Sequence, residues 1–240
     1  MSSALDTAMI LAAGLGTRMR PLTDSKPKPL VELAGRTLLD RVLDRLDAAG
    51  FHNVIVNVHY QADTIEAAIA RRTSPKVTIS DERDELLDTG GGVRKALPLL
   101  GEAPVLIHNS DSIWIDGVED NLVRLKRAWD PERMDCLMLL ALSSSSIGFD
   151  GPGDFHMSSA GALTRRAEQD VAPFVFAGVS IAHPRMFQDT PAGAFSLNIL
   201  WDRAIARQRL YGIRLEGYWM HVGSPSALAA AEHAISTRAD

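Results

Sequence analysis

The chain has 240 residues, 46% of them hydrophobic, and 30 acidic against 25 basic side chains, for a formal net charge of -5. That length and apolar content suffice to bury one large core, while the acidic balance, with no interleaving of aromatic and basic residues, argues against general nucleic-acid binding. Cys136, the single cysteine, lies in the apolar run MDCLMLLAL and reads as a buried strand residue in a protein of a reducing compartment. Asp6 stands near an N-terminus without a basic region, and no apolar stretch approaches the roughly 20 residues of a membrane span, so a cytoplasmic protein without membrane contact is expected.

The first predicted element is a buried strand from Ala8 to Leu11, followed by a turn containing Gly14 and Gly16. From there to Leu30 the chain concentrates Arg18, Arg20, Lys26 and Lys28, with Asp24 as the one acid, inside a protein that is acidic as a whole. Side-chain-free glycines let backbone N–H groups approach phosphate oxygens, Arg18 can fork two of them, and Lys28 supplies a point charge. Pro21, Pro27 and Pro29 each fix φ and remove an amide donor, which predicts a stiffened extended loop with Lys28 exposed and of little weight in stability. Two other phosphate loops are disfavoured. A P-loop needs Lys and Ser or Thr directly after its second glycine, and a dinucleotide fingerprint needs a third glycine where Met19 stands.

Thr37 to Ala49 carries a helical stripe of Leu38, Leu39, Val42, Leu43 and Leu46 that Gly50 can close. The run NVIVNVHY predicts a strand, Ala62 to Arg71 a helix, and Val77 to Ile79 another strand. In DTGGGVRKALPLLG, residues 88–101, three successive glycines open a helix, which exposes amides at its positive end and leaves room for a flat group. PVLIH, residues 104–108, predicts a strand that ends just before Asp111, where a carboxylate can hold a hard cation, with Asn109 beside the ligand. Asp120 to Trp129 reads as a helix. The β-α-β-α rhythm implies an α/β, doubly wound, mostly parallel sheet, with ligands outside the carboxyl ends of its strands.

After Leu142 the pattern loosens. SSSSIGFDGPGD reads as loop, with short apolar runs at Phe155–Met157 and Phe174–Ala182, so residues 143–183 are expected to form a small antiparallel excursion on the acceptor side of one domain spanning 1–240. Ser224 and Pro225 then start a helix that continues to Ile235.

Gly14, Gly16, Thr17, Arg18, Pro21, Thr23, Lys28 and Pro29 fall in the places of the pattern GxGTRxxPxTxxxxKP. The chain thereby resembles the sugar-1-phosphate nucleotidylyltransferases, over almost its whole length, and TGGG with KALPLLG is most similar to the N-acetylmuramate-1-phosphate uridylyltransferase branch associated with peptidoglycan recycling. The resemblance implies a Rossmann-like nucleotidyltransferase fold and transfer of a nucleotidyl group from a nucleoside triphosphate, UTP in that branch, to a sugar 1-phosphate. Guanylyl transfer to mannose 1-phosphate is the nearest competitor, and a nucleotide-binding regulatory homologue is the alternative of another class. It further implies nucleotide contacts from Ala12, Ala13, Gly14, Gly16, Thr17, Arg18, Lys28, Glu85, Gly90 and Asn109, and catalysis by Arg18, Lys28 and Asp111. Gly178 and Asn198 are candidates for the sugar, and Asp111 for Mg²⁺. Ser110 departs from the glycine usual before that aspartate. A larger departure comes at residues 219–224, WMHVGS, where His221 replaces the aspartate that would supply a second carboxylate to the metal. Imidazole suits Mn²⁺ or Co²⁺ better than Mg²⁺. His221 is thus a metal ligand, a charged contact to phosphate, or a ring packed beneath Trp219.

Overall fold

Short apolar runs with Val and Ile at alternate and adjacent positions form strands here because they are buried on both faces. The computed structural model describes residues 5–237. Residues 1–4 and 238–240, the ends of the single domain expected at 1–240, lie outside the described residues. In chain order the strand β1 (Thr7–Leu11) leads through the glycine loop to the hairpin β2 (Glu32–Leu33) and β3 (Arg36–Thr37), then α1 (Leu38–Ala48), β4 (Asn53–Val58), α2 (Ala62–Ile69) and β5 (Lys76–Asp81). There follow α3 (Asp88–Leu100), β6 (Val105–Asn109), β7 (Ser112–Asp116), α4 (Asn121–Ala128) and β8 (Cys136–Leu142). The remainder is β9 (Phe155–Met157), β10 (Leu163–Arg165), β11 (Phe174–Ala182), α5 (Asn198–Ala206), β12 (Leu210–Arg214), β13 (Gly217–His221) and α6 (Pro225–Ser236).

Helix α1 shows how local sequence sets an element. Its stripe Leu38, Leu39, Val42, Leu43 and Leu46 is wholly buried, the Thr37 hydroxyl accepts from the Asp40 amide at 3.0 Å, and Gly50 ends it at φ 76°.

The main sheet runs β5-β4-β1-β6-β11-β8-β12. β5, β4, β1 and β6 are parallel, β11 is antiparallel to both β6 and β8, and β12 is parallel to β8. Alternation along β1 divides the core: Ala8 and Ile10 pack on the side of α1, while Met9 packs with Val93, Ala96, Leu200 and Trp201 of α3 and α5. The strands of residues 143–183, expected as a small antiparallel excursion, pair antiparallel and belong to this main sheet. The nine-residue run Phe174–Ala182 is apolar enough to be buried on both faces and enters the middle of the main sheet as β11, and the β9–β10 hairpin extends the same sheet from the start of β11, where Phe155 pairs with Phe174.

A second, two-stranded sheet pairs β7 with β13 and sets His221 opposite Ser112, next to Asp111. Nothing in the spacing of these segments, over 100 residues apart, announces that pairing.

Candidate active site

The glycine loop opens from the carboxyl end of β1, between the ends of β4 and β6. The side-chain oxygen of Asn57, at the end of β4, accepts from the Ala12 amide at 2.7 Å and so fixes the direction in which the loop departs. Gly16 has φ 64°, its carbonyl accepts from the Thr23 hydroxyl at 2.9 Å, and a Cβ there would stand 3.1 Å from Lys28 Cβ. The glycine is thus needed twice, for a left-handed turn and to let the segment carrying Lys28 pass close. Thr17–Met19 forms one 3-10 turn whose Met19 is buried as an anchor, and Lys28–Leu30 forms another. The result is a cleft of about 540 Å³ lined by Ala12, Ala13, Gly14, Gly16, Thr17, Arg18 and Lys28, with Asn57, Glu82, Asn109 and Asp111 from the other strand ends and Thr89 from the start of α3.

Lys28 is not the exposed loop residue its sequence suggested. Its side chain is 13% exposed and Nζ lies 2.5 Å from Asp111 Oδ2, because the proline-stiffened loop folds back over the β6–β7 turn. Burial alone raises the Asp111 pKa, but the Lys28 ammonium outweighs it and holds the carboxyl below its ordinary value. Behind this pair His108 is fully buried, its ring stacked on Trp114 at 5.5 Å and Nδ1 2.8 Å from the Asn109 carbonyl, and burial pushes its pKa down to about 3. A neutral imidazole therefore braces the turn that carries Asn109 and Asp111.

The glycine triplet is packed by protein. The amides of Gly90 and Gly91 both donate to the Phe195 carbonyl, at 2.8 and 3.1 Å, and a Cβ would stand 2.4 Å from the Phe195 ring at Gly90 and 2.4 Å from the Gly193 carbonyl at Gly91. At Gly92 it would meet Glu82 at 2.8 Å and Asn57 at 2.9 Å. The room that the sequence left for a flat group at the triplet is filled by residues 193–195 and Glu82. Gly90 and Glu85 do not line the cleft; the side chains of Glu82 and Thr89 do. Glu82 is a buried carboxyl, raised in pKa by burial and partly compensated by the Asn57 amide at 2.7 Å. Its position directly after β5, at the carboxyl end of a strand, was the signal that could have found it.

On the far side, Gly178 has φ 81° and sits in the register shift of β11, so close to β7 that a Cβ would stand 2.8 Å from Ser112 Cβ and 3.2 Å from Asn109 Nδ2. It is thereby brought beside the cleft-lining Asn109. Asn198 opens α5 and is joined to the cleft indirectly, through the neighbouring Leu197 amide that donates to Thr89 Oγ1 at 3.0 Å.

Residues 8–143 match the MobA-like NTP transferase domain. The chain is 49% identical over 236 residues to an N-acetylmuramate alpha-1-phosphate uridylyltransferase of Caulobacter vibrioides, covering 97% of this chain and 98% of that protein. This chain belongs to the sugar-1-phosphate nucleotidyltransferase family. A mannose-1-phosphate guanyltransferase of Aspergillus oryzae is more distant, at 29% over 91% of this chain and 61% of its own length. The solved structure of a UDP-glucose pyrophosphorylase with UDP-glucose shares the fold, with a TM-score of 0.77 and 14% identity over 98% of this chain and all of that one (100%).

This nucleotidyltransferase places His221 half-buried, 5.6 Å from the Trp219 ring and edge-on to Phe149 at 6.3 Å, with Nε2 folded over Gly223. Burial chiefly, then Lys28 and Arg18, outweigh the pull of Asp111 and lower its pKa. The donor set suits a hard cation through Asp111, whose carboxylate faces the cleft. No group of three or more His, Cys, Asp or Glu able to hold a metal occurs among the described residues, so phosphate oxygens and water would complete the shell, as is usual for Mg²⁺.

Proposed function

We propose that this nucleotidyltransferase transfers a uridylyl group from UTP to N-acetylmuramate 1-phosphate, releasing pyrophosphate. The convergence of Arg18, Lys28 and Asp111 on one glycine-lined cleft carries the reaction class. The substrates follow from the 49% identity to a uridylyltransferase over nearly the full length of both chains. A phosphate oxygen of the sugar forms a bond to the α-phosphorus as the bond to the β-phosphate bridge breaks, and the electrons leave with pyrophosphate. The attacking oxygen is already anionic at neutral pH, so the site needs positioning and charge neutralisation more than a general base.

Arg18 grips the β- and γ-phosphates with its planar fork. Lys28 leaves Asp111 to lie between the α-phosphate and the incoming sugar phosphate, screening two anions that otherwise repel. Asp111, with His221 as a weaker second donor, would hold Mg²⁺, Mn²⁺ or Co²⁺, whose chemistry when bound is neutralisation of charge on α- and β-phosphate oxygens. Residues 143–183, with Gly178 and Asn198, supply the acceptor side, and Glu82 at the cleft floor faces the nucleobase. The inert buried thiol of Cys136, pushed up to about 12 by burial, suits a reducing cytoplasm, and among the described residues no helix is long and apolar enough to cross a membrane. A role in peptidoglycan recycling follows from the acceptor.

A coupled pyrophosphate-release assay over the four common nucleoside triphosphates and a panel of sugar 1-phosphates, with Mg²⁺ and Mn²⁺, tests the reading. UTP with N-acetylmuramate 1-phosphate should give the highest kcat/KM. Absence of turnover with every pair would leave only nucleotide binding.

A further inference from the structure

Arg165, on β10, is a cation that the phosphate chemistry does not use. Its Nε donates to Asp202 Oδ1 at 2.7 Å and its Nη2 to Asn198 Oδ1 at 2.8 Å, both on α5. The guanidinium lies 5.0 Å from the centroid of Phe155 and 5.8 Å from that of Trp201, which is itself edge-on to Phe176 at 4.8 Å. Nη1 makes no hydrogen bond among the described residues, and the side chain is 33% exposed. A fork fixed on one edge and stacked on rings, with its other edge free, has already given up the rotamer freedom that binding a carboxylate would cost.

The support under Arg165 reaches the cleft. Leu197, next to Asn198, donates to Thr89 of the cleft wall at 3.0 Å, and Phe195 is tied to Gly90 and Gly91 at 2.8 and 3.1 Å. The first turn of α5 is therefore pinned to the nucleotide-side segment at one end and to the guanidinium at the other. Arg18 and Lys28 are committed to phosphates, and a tie between β10 and α5 alone needs no free guanidinium edge. We propose that Arg165 recognises a carboxylate carried by the acceptor sugar in addition to its phosphate. The proposal rests on the acceptor reading above, since N-acetylmuramate bears a lactyl carboxylate where N-acetylglucosamine has a hydroxyl.

Steady-state kinetics with UTP and Mg²⁺ on the full chain, comparing N-acetylmuramate 1-phosphate with N-acetylglucosamine 1-phosphate, tests it in wild type, Arg165→Met and Arg165→Lys. Arg165→Met should raise KM for the acidic sugar at least about tenfold more than KM for the neutral sugar, with KM for UTP near wild type, and Arg165→Lys should recover part of the difference. Equal losses on both sugars, or a misfolded Met variant with a fully active Lys variant showing no preference change, would assign Arg165 to holding α5 and overturn the proposal. Wild type that turns over the neutral sugar but not the acidic one would instead remove the acceptor reading, with the nucleotidyl transfer intact.

Discussion

Lys28 and Asp111, 83 residues apart in the chain, meet at 2.5 Å in the mouth of the cleft, each largely buried and each the other's ion-pair partner. On the proposed mechanism, substrate has to separate this pair, because the reaction uses the two groups on different phosphate atoms.

Lys28→Ala should therefore do two things. Turnover should fall by about three orders of magnitude, from loss of charge neutralisation in the transition state. In the absence of nucleotide it should also cost about 1–3 kcal/mol of stability, because Asp111 is left partly buried and unpaired. Urea denaturation beside steady-state kinetics separates the two effects; an unaltered denaturation midpoint would mean that the pair is not formed in solution.

His221→Asp should shift metal preference toward Mg²⁺, since an oxygen donor replaces a neutral imidazole close to Asp111. The ratio of activity in Mg²⁺ to activity in Mn²⁺ reads this directly. An unchanged ratio would make His221 a ring packed against Trp219 and Phe149.

Gly91→Ala should be the most damaging change in the glycine triplet, because the added Cβ meets a backbone carbonyl, that of Gly193, at 2.4 Å and not a side chain that can swing away. A loss of about 1–3 kcal/mol is expected from overpacking, with KM for the sugar raised as α5 is displaced. Chemical denaturation and acceptor titration would measure both, and a neutral result would show that residues 193–195 do not dock on the triplet.

His108 predicts a pH dependence with a definite sign. Its folded pKa of about 3 lies below the unfolded value near 6.5, so the unfolded chain binds the extra proton first. The stability contributed by the neutral ring is complete above pH 6.5 and is lost as pH falls toward 3, at up to about 1.4 kcal/mol per pH unit. Urea unfolding at pH 7 and pH 5 should show the difference, and His108→Phe should remove most of this slope.

Much of the scaffold was legible in residue order. The stripe in Leu38–Leu46, the runs at Ala8, Val54 and Val105 and the cap at Ser224 appear as helices and strands within a residue or two, because periodicity and capping are local. The loop pattern from Gly14 to Pro29 likewise announced the turns that line the cleft, since turn glycines and fixed prolines act within their own segment. Two features misled. Phe174–Ala182 reads as a short run in an antiparallel excursion yet lies in the middle of the main sheet, because sheet order depends on which apolar runs find each other, and the triplet at 90–92 reads as an open turn although residues from about 100 positions later pack against it.

Residue order, then, determined the strands, the helices and the glycine- and proline-shaped basic loop, for each rests on forces acting over a few neighbouring residues. The third dimension decided the site. Parallel crossovers set the ends of β1, β4, β5 and β6 side by side, and so brought Asn57, Glu82 and Asp111 to the loop. The pairing of β7 with β13 carried His221 opposite Ser112, next to Asp111, and the contacts of α5 joined Arg165 on one side to Thr89 of the cleft on the other. Contacts between segments so far apart follow from the joint burial of the whole core, which no single stretch of the chain encodes.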